Sequence, residues 1–570
     1  MDSPLLISPI VGEVTDNQAI IVVESNQNLI YRLSCHNKLV HGSVDITDDT
    51  IFRLVLSDLK PKTDYLVHWY LDNPYNESYD CFCDNKNTQY GVIAVNQFTT
   101  TDVTGPCKIA VVSCDLPAMQ AGTDLWNQLA EANVDLIIHI GDNVYMDGTF
   151  NRAIKRLNRN SRYSSSCSCC YTRCCNEQEN EKIGNERERQ RIRNVYRNTW
   201  NRSTWSNCAN ICIWDDHEFH NCFPSKVHDR QRHAFLLCME AYLKYQRNLL
   251  LHNYDNFSEI ISDSDDDDDD DYDDDDSDDD DDDDDDDSLT TSIDKDSKYN
   301  VYNKNELTPS IDEILSSIRS KELDFPPMGF ERRWNNTLLL VTEYLSLRNQ
   351  GNFMTDRWPQ LRDRIFNFDG NRVILVSPKA LLPMSTGLAS IFIQPEFTTD
   401  QLTSLYRDLV IWLNDDKDRS ILLIMGDMHL GACGTIRPTY TNVSIDFILT
   451  SPITNYPFWY EFMAKKAMRS SVRELNEFTI NYNQLTCRRN FALINLHNNR
   501  HESEGPDPTV SSTVGRSSKP TKLVFNDFYD LGTLSKSKGT LARNIELELV
   551  VGSGRRPGLC NLYRGIRALL

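Results

Sequence analysis

The stretch from Asp135 to Asp147 places the strongest constraint on how this 570-residue chain folds. It begins as an apolar run of strand length, rich in β-branched residues, and changes at Gly141 to a polar segment that contains Asp142 and Tyr145. This pattern predicts a buried strand that delivers polar side chains to a loop. In open α/β sheets, reactive groups collect beyond the carboxyl ends of the strands, so the loop is a candidate active site.

Three other apolar runs end in the same way. They are Lys108–Ser113, Ile211–Trp214 and Ile421–Gly426, followed respectively by Cys114-Asp115, Asp215-Asp216-His217-Glu218 and Asp427-Met428-His429. We therefore predict that four strands direct metal-binding residue types to one edge of the fold. Segments with helical periodicity alternate with these runs, which predicts an α/β domain. The predicted helices cover 124–132, Asn185–Trp200 with Asn185 as N-cap, Asp229–Leu251 and Thr399–Leu413. The later strands are predicted at Leu338–Thr342, Val373–Ser377, Ser420–Met425, Ile445–Leu449 and Phe491–Leu496.

Residues 1–104 instead favour an all-β domain, because short alternating runs such as Ile51–Leu56 are separated by turn residues. Tyr65 and the turn before it resemble the tyrosine corner of fibronectin type III sandwiches, in which the tyrosine hydroxyl binds the backbone upstream. We predict a fibronectin III-like β-sandwich here, with Tyr65 as a core residue that has no part in chemistry.

The charge of the chain is concentrated in one segment. The formal net charge is −25, but 22 aspartates lie between Asp263 and Asp287, and without them it is −3. The remaining chain is near neutral, which makes nucleic acid an unexpected partner. Because like charges repel, we predict that the Asp-rich insertion 262–298 is disordered and solvated. Buffering of Ca²⁺ or Mg²⁺, or docking to a basic partner, is the alternative interpretation.

The 17 cysteines include five in a predicted Cys-rich loop, residues 161–175. Their spacing is not the paired C-x-x-C of zinc sites and no histidine is near, so exposed thiols or a disulfide cluster are favoured over a zinc clip. No apolar run is long enough to cross a bilayer, and the amino-terminal residues lack the positive charge of a secretory signal. These features favour an intracellular protein with mostly reduced thiols.

The four polar loops together are typical of phosphate-ester hydrolysis, which is slow unless a pair of cations holds a hydroxide and neutralises the phosphate oxygens. Asp142 is the natural bridging ligand, because Gly141 before it lets the backbone turn. Asp427 and His429 are two residues apart, and on an extended segment their side chains would face the same way. The third loop would supply a ligand, a proton donor or transition-state clamp, and an orienting carboxylate, from Asp216, His217 and Glu218. Accidental polar loops at strand ends are the alternative.

These motifs resemble the signature set of the PhoD-like (alkaline phosphatase D) metallophosphoesterases. The segments that carry the resemblance are Ser113-Cys114, Gly141–Asp147, Trp214–Asn221 and Gly426–His429. The resemblance covers roughly residues 105–500 and implies two sheets packed face to face with helices outside. The polar, Pro- and Ser-rich residues that follow predict a polar loop and C-terminal extension over 501–570. The resemblance also implies a binuclear centre, which in some members of the family contains iron and calcium, with other divalent metals as the alternative. The implied ligands are Cys114, Asp142, Tyr145 and Asp427 for iron, and Asp142, Asp216, Asn221 and His429 for calcium.

Two departures from the family pattern concern substrate binding. Asp115 stands where Gln or Asn is frequent, and it adds negative charge near the metals. The substrate-facing arginine of the family's Asp-Thr-Arg-type motif is absent from Glu343–Arg348, and Arg348 is the candidate for its place. Our hypothesis is a metal-dependent phosphomonoesterase or phosphodiesterase in which His217 assists the leaving group. The alternative is a catalytically silent scaffold or binding protein. A nuclease is less favoured, because the near-neutral chain offers no basic groove.

Overall fold

The fold is taken from a computed structural model of the chain. It describes residues 4–35, 38–44, 50–72, 92–102, 105, 108–116, 125–151, 173–200, 203–219, 229–251, 329–334, 336–342, 354, 357–383, 397–454, 472–486, 489–496 and 545–551. The predicted Asp-rich insertion 262–298 lies outside the described residues, as do residues 501–544. No helix in the described ranges is both long and apolar enough to cross a membrane.

The amino-terminal part is a β-sandwich of two antiparallel sheets. Its strands are β1 (Leu5–Val14), β2 (Ala19–Ser25), β3 (Leu29–Cys35), β4 (Lys38–Val44), β5 (Ile51–Leu56), β6 (Asp64–Leu71) and β7 (Ala94–Thr99). One sheet has the order β1-β2-β5 and the other β4-β3-β6-β7. Ile21 and Trp69 are fully buried in the core shared by the two sheets. The hydroxyl of Tyr65 accepts a hydrogen bond from the Lys60 N–H at 2.8 Å, which is the contact that the tyrosine-corner pattern predicts.

A five-stranded sheet begins the second part of the chain. Its strands are β8 (Lys108–Val112), β9 (Leu136–Ile140), β10 (Ala209–Ile213), β19 (Asn490–Leu496) and β20 (Ile545–Val551), in the order β10-β9-β8-β19-β20. The strands β8, β9 and β10 are parallel, so their carboxyl ends meet at one edge. The strand β20 pairs with β19, so this sheet includes a strand beyond the predicted boundary at residue 500.

The other sheet has eight strands in the order β11-β12-β13-β14-β16-β15-β18-β17. They are β11 (Phe330–Trp334), β12 (Thr337–Val341), β13 (Arg372–Ser377), β14 (Ser420–Met425), β15 (Gly431–Pro438), β16 (Ile445–Leu449), β17 (Val472–Leu475) and β18 (Phe478–Thr486). Its parallel strands β12, β13, β14 and β16 place their carboxyl ends together. Ile138 and Ile213 of the first sheet share one buried core with Ile374 and Ile424 of the second, so the sheets pack face to face.

Helices cover the outer faces of both sheets. They are α1 (Leu125–Glu131), α2 (Arg173–Trp200), α3 (Asp229–Tyr245), α4 (Trp358–Phe366) and α5 (Thr399–Asp415). Side chains of α1, α2 and α3 share a core with the outer face of the five-stranded sheet, and those of α4 and α5 with the outer face of the eight-stranded sheet. The fold is thus a two-sheet sandwich flanked by helices, as the sequence predicts.

One predicted helix start is wrong. Asn185 is not an N-cap, because α2 begins at Arg173 and runs through Gly184. A glycine inside a helix costs only about 1 kcal/mol relative to alanine, which packing of the rest of the helix readily offsets. Residues 173–175 of the predicted Cys-rich loop are therefore helical, and residues 161–172 lie outside the described residues.

The amino-terminal sandwich packs directly on the helical layer. Glu24 is 1% exposed and accepts hydrogen bonds from Arg197 of α2 at 2.7 Å and from the Tyr245 hydroxyl of α3 at 3.0 Å. Arg53 donates to the backbone carbonyls of Asn248 and Leu250. These contacts join the amino-terminal sandwich to α2, α3 and the segment that follows α3.

Candidate metal centre

The polar loops after β8, β9, β10 and β14 converge at one place. Three overlapping groups of side chains could each hold a metal ion, because the candidate ligand atoms within each group lie within 4.8 Å of one another. The groups are Cys114–Asp142–His429, Asp142–Asp216–His217 and Asp142–Asp215–Asp216–Asp427. Asp142 belongs to all three, which is the position that the predicted bridging ligand requires. Six of the predicted site residues therefore meet around Asp142, and Tyr145 joins them by a hydrogen bond to the same carboxylate.

Two glycines allow these loops to approach one another. Gly141 has φ +87°, and a Cβ there would lie 2.5 Å from Cβ of Asp215 in the neighbouring loop. A Cβ at Gly426 would lie 2.9 Å from the Pro378 carbonyl oxygen and 3.1 Å from that of Ile140. Any side chain at either position would push the loops apart, because real Cβ atoms do not approach other atoms so closely.

The segment from Asp427 to His429 is not extended, so that prediction is wrong. Both residues have left-handed backbone, with φ of 65° and 50°, and the Met428 N–H closes a tight turn onto the Gly426 carbonyl at 2.8 Å. The two side chains reach the same centre because the chain turns twice, and not through the alternation of a strand.

Cys114 and Tyr145 lie on one side of Asp142. Asp142 Oδ2 accepts from the Tyr145 hydroxyl at 3.2 Å and lies 3.4 Å from Cys114 Sγ, which itself accepts from the Ser451 hydroxyl at 2.9 Å. Burial raises the pKa of Asp142 to about 6, and burial with the charges of Asp142 and Asp427 raises the pKa of Cys114 well above its usual value. Anionic groups crowded in a buried place need a cation to remain ionised.

Asp215, Asp216 and Asp427 form the other side, and a lysine that the sequence analysis missed lies among them. Lys379 Nζ is 3.0 Å from Asp215 Oδ1, 3.2 Å from Asp216 Oδ1 and 3.3 Å from Asp427 Oδ2. Lys379 follows β13 by two residues. That strand was predicted as Val373–Ser377, so the rule that reactive residues follow strands could have identified this lysine.

His217 is held in a fixed orientation beside Asp142. Its Nδ1 lies 2.8 Å from Asp147 Oδ2, and its ring stacks at an angle on Tyr145 with 4.3 Å between ring centres. Burial lowers the pKa of His217, but the charge of Asp142 and the hydrogen bond to Asp147 raise it more, giving about 10. Burial and the nearby charge of His217 lower the pKa of His429 to about 3, so its imidazole is neutral and suited to bind a metal.

Glu218 connects two of the loops without reaching the centre itself. Its carboxylate accepts backbone N–H donors from Asp142 at 3.1 Å, Asn143 at 2.7 Å and Asp215 at 2.8 Å. The fully buried Gln246 donates to the same carboxylate at 3.3 Å and accepts from the Asn143 amide at 2.9 Å. Burial raises the pKa of Glu218 to about 8. The orienting role predicted for Glu218 has this geometry, whereas Gln246 carried no signal in the sequence.

The remaining residues that the sequence analysis singled out are Arg348, Asn221 and Asp115. Arg348 and Asn221 lie outside the described residues. Asp115 is buried, but it accepts a hydrogen bond from Thr454 at 2.8 Å and belongs to none of the ligand groups found among the described residues. The groups also differ from the implied division of ligands: His429 lies with Cys114, and Asp427 lies with Asp216.

A separate cavity of about 270 Å³ lies at the opposite ends of the strands. Leu136 and Ala209, the first residues of β9 and β10, line it together with Trp334. None of the predicted site residues that the structure describes lines this cavity. The convergence of polar groups, and not the presence of a cavity, therefore marks the carboxyl ends of the strands as the candidate site.

Comparisons with known proteins agree with the resemblance in the motifs. A family model described as PhoD-like phosphatase matches residues 109–245, which confirms the resemblance over that stretch. No curated protein matches the chain by sequence. The solved structure described as "Structure of PhoD" is 11% identical, with a TM-score of 0.48 over 86% of each chain. A purple acid phosphatase from yellow lupin (Lupinus luteus) seeds is 8% identical, with a TM-score of 0.41 over 85% of this chain and 69% of that one.

Proposed function

We propose that this chain, in which residues 109–245 match the PhoD-like phosphatase family, hydrolyses phosphate esters with the help of bound metal ions. One observation carries the proposal: three groups of metal-binding side chains overlap at Asp142, at the carboxyl ends of four strands. The substrates we propose are phosphomonoesters, phosphodiesters or both.

The residues present fit a metal centre. The set combines a thiol, a phenol, imidazole and several carboxylates, which together suit one redox-capable and one hard cation. Asp142, Asp215, Asp216 and Asp427 place four carboxylates in one group, to which Lys379 supplies one positive charge. Burial also raises the pKa of Asp142 to about 6. Both observations describe negative groups whose charge requires a cation close by.

We propose a binuclear centre of iron and calcium, bridged by Asp142. Cys114 and Tyr145 would mark the iron side and Asp216 the calcium side, with the set completed by Asn221, Asp427 and His429. When bound, the two metals would activate water for attack and neutralise the phosphate oxygens. His217, fixed by its contact with Asp147, would donate a proton to the leaving oxygen or stabilise the negative charge of the transition state. Arg348 is the proposed phosphate contact.

Substitution of two ligands tests the proposal. Asp142→Asn and His429→Ala should each abolish turnover of an artificial aryl phosphate and lower the metal content, while circular dichroism shows a folded chain. Asp408→Asn is a matched control, because Asp408 binds the Trp358 indole on the outer helices and contacts no ligand of the centre. Full activity in either ligand variant would refute the proposal. A screen of mono- and diesters with Fe, Mn, Zn and Ca would then define the substrate class and the metals.

The altered motif Glu343–Arg348 favours a second candidate, a catalytically silent scaffold that keeps the fold. A near-complete ligand set argues against it, because a scaffold has no use for buried carboxylates that repel one another. Elemental analysis of the purified protein separates the two: about two metals per chain support the enzyme and none supports the scaffold.

We also propose that residues 1–104 are a fibronectin III-like domain, and that the catalytic domain spans 105–500, with 501–570 as an extension. The Tyr65 hydrogen bond and the two antiparallel sheets support the first assignment. The pairing of β20 with β19 indicates that the extension contributes a strand to the catalytic domain.

A further inference from the structure

Lys379 lies where a metal ion would bind to the carboxylates of the candidate centre. Its side chain is 5% exposed, and Nζ is within 3.0–3.3 Å of one oxygen each of Asp215, Asp216 and Asp427. Asp142 belongs to the same group of carboxylates. The ammonium is therefore already the cation of this side of the centre.

A metal ion and this ammonium would compete for the same oxygen atoms. Calcium binds carboxylate oxygens at about 2.3–2.6 Å, so an ion held by Asp216 and Asp427 would lie very close to the present position of Nζ. Two positive charges at that separation repel strongly in a buried site. Metal binding here requires the lysine side chain to move away.

The side chain of Lys379 can make this movement more readily than its backbone can. Its backbone N–H donates to Ser377 Oγ at 3.3 Å, and two residues later the Leu381 N–H contacts Met425 Sδ at 3.1 Å. The backbone is thus held on both sides of the residue, whereas the four-carbon stem of a lysine rotates readily. The ion pairs of 3.0–3.3 Å described above all join Lys379 to the Asp215–Asp216–Asp427 side of the centre.

We infer that Lys379 is an internal competitor for one of the two metals, so that the Asp215–Asp216–Asp427 side binds its cation more weakly than the Cys114 side. The lysine neutralises these carboxylates while the metal is absent and yields to it at high metal concentration. This inference rests on the proposed function, because it assumes that the centre binds metal. It predicts that the two sides of the centre bind metal with unequal affinity, and it assigns this difference to Lys379.

The test compares the calcium affinity of full-length wild type with that of Lys379→Met, which keeps the length of the side chain and removes its charge. Chelator-treated protein is titrated with Ca²⁺ by calorimetry, and total metal per chain is measured by elemental analysis. All variants carry the same Asp-rich segment, so its binding cancels in the comparison. Lys379→Met should bind calcium about tenfold more tightly or more, because a buried like charge is removed.

Two control variants test whether the positive charge of Lys379 is the cause of the weaker calcium binding. Lys379→Arg keeps the positive charge and should retain the wild-type affinity. Lys62→Met removes an exposed lysine that pairs with Asp102 in the amino-terminal sandwich, and it should also leave the affinity unchanged. If Lys379→Met fails to fold, Lys379→Gln replaces it in the same titration.

Equal or weaker calcium binding by Lys379→Met would overturn the inference. If its calcium affinity is unchanged while inorganic phosphate binds less tightly, Lys379 is a substrate contact, which also overturns the inference. Metal binding that does not depend on Lys379 leaves the proposed function standing. If neither wild type nor Lys379→Met binds metal, both proposals fail. Metal binding by Lys379→Met alone would show that the ammonium takes the place of a metal ion in the wild type, which supports the competition.

Discussion

Replacing Glu218 with glutamine should disturb the candidate metal centre without changing any ligand. Glu218 is 1% exposed, and its two oxygens accept four hydrogen bonds. Oε2 accepts the N–H groups of Asp142 and Asp215, and Oε1 accepts those of Asn143 and Gln246. A glutamine keeps only one oxygen, so its NH₂ group must face donors at the other position.

The loss of stability depends on which hydrogen-bond donors lose their acceptor in Glu218→Gln. With the amide nitrogen toward Asn143 and Gln246, one backbone N–H, that of Asn143, is left unsatisfied at a cost of about 1–3 kcal/mol, whereas the Gln246 amide keeps its hydrogen bond to the Tyr196 hydroxyl. With the amide nitrogen toward Asp142 and Asp215, two are left unsatisfied, and the cost roughly doubles. We therefore expect the free energy of unfolding to fall by about 2 kcal/mol in the cheaper orientation. Metal affinity should fall by about 10- to 100-fold, as is usual when a residue that orients ligands is lost.

The assays are urea unfolding of the metal-free protein and calorimetric metal titration. Glu24→Gln is the matched control, because Glu24 is equally buried and also accepts several hydrogen bonds, from Arg197 and Tyr245, but lies in the amino-terminal sandwich. It should lower stability and leave metal affinity unchanged. Wild-type stability and metal affinity in Glu218→Gln would refute the view that this carboxylate positions the two loops.

Three more predictions follow from the same geometry. Gly141→Ala should lower the free energy of unfolding by about 2 kcal/mol or more, because its backbone is left-handed and the new Cβ would meet Asp215, and it should also reduce the metal content. Gly105→Ala, at a glycine with φ +80°, should lower only the stability. Urea unfolding measures the stability of both variants, and elemental analysis measures their metal content. Tyr65→Phe removes the bond from Lys60 and should cost about 1 kcal/mol in urea unfolding with no change in metal content. Dialysis against a chelator should abolish hydrolysis and lower the melting temperature in a calorimetric scan, and added metal should restore both.

The central strands could be predicted well because both of their faces are buried. Ser420–Met425 and Ile445–Leu449 have the predicted bounds, since a strand covered on both sides reads as an unbroken apolar run between polar turns. Once these runs were placed, the residues directly after them were natural candidates for the site. The convergence around Asp142 follows from this rule and from the parallel arrangement of β8, β9 and β10.

Features that depend on contacts between the sheets could not be predicted in this way. The position of Lys379 after a strand of the eight-stranded sheet could have marked it as a candidate, but its partners Asp215 and Asp216 follow a strand of the five-stranded sheet, and this pairing is a contact between the sheets. No local pattern relates residues so far apart in sequence. Gln246 is similar, because it lies just after a helix and becomes a partner of Glu218 only through packing of that helix on the sheet.

The backbone of the site explains why residues outside the ligand set should matter for metal binding. Four site residues adopt left-handed backbone: Cys114, Asp142, Asp427 and His429. For most residues this conformation costs about 1–2 kcal/mol, less for aspartate, so the loops do not adopt it by their own preference. Neighbours supply the compensation: Glu218 accepts the Asp142 N–H, and Ser451 Oγ accepts the His429 N–H at 3.2 Å. The positions of the proposed ligands therefore depend on groups outside the proposed ligand set, which is why Glu218→Gln tests the architecture of the site separately from its chemistry.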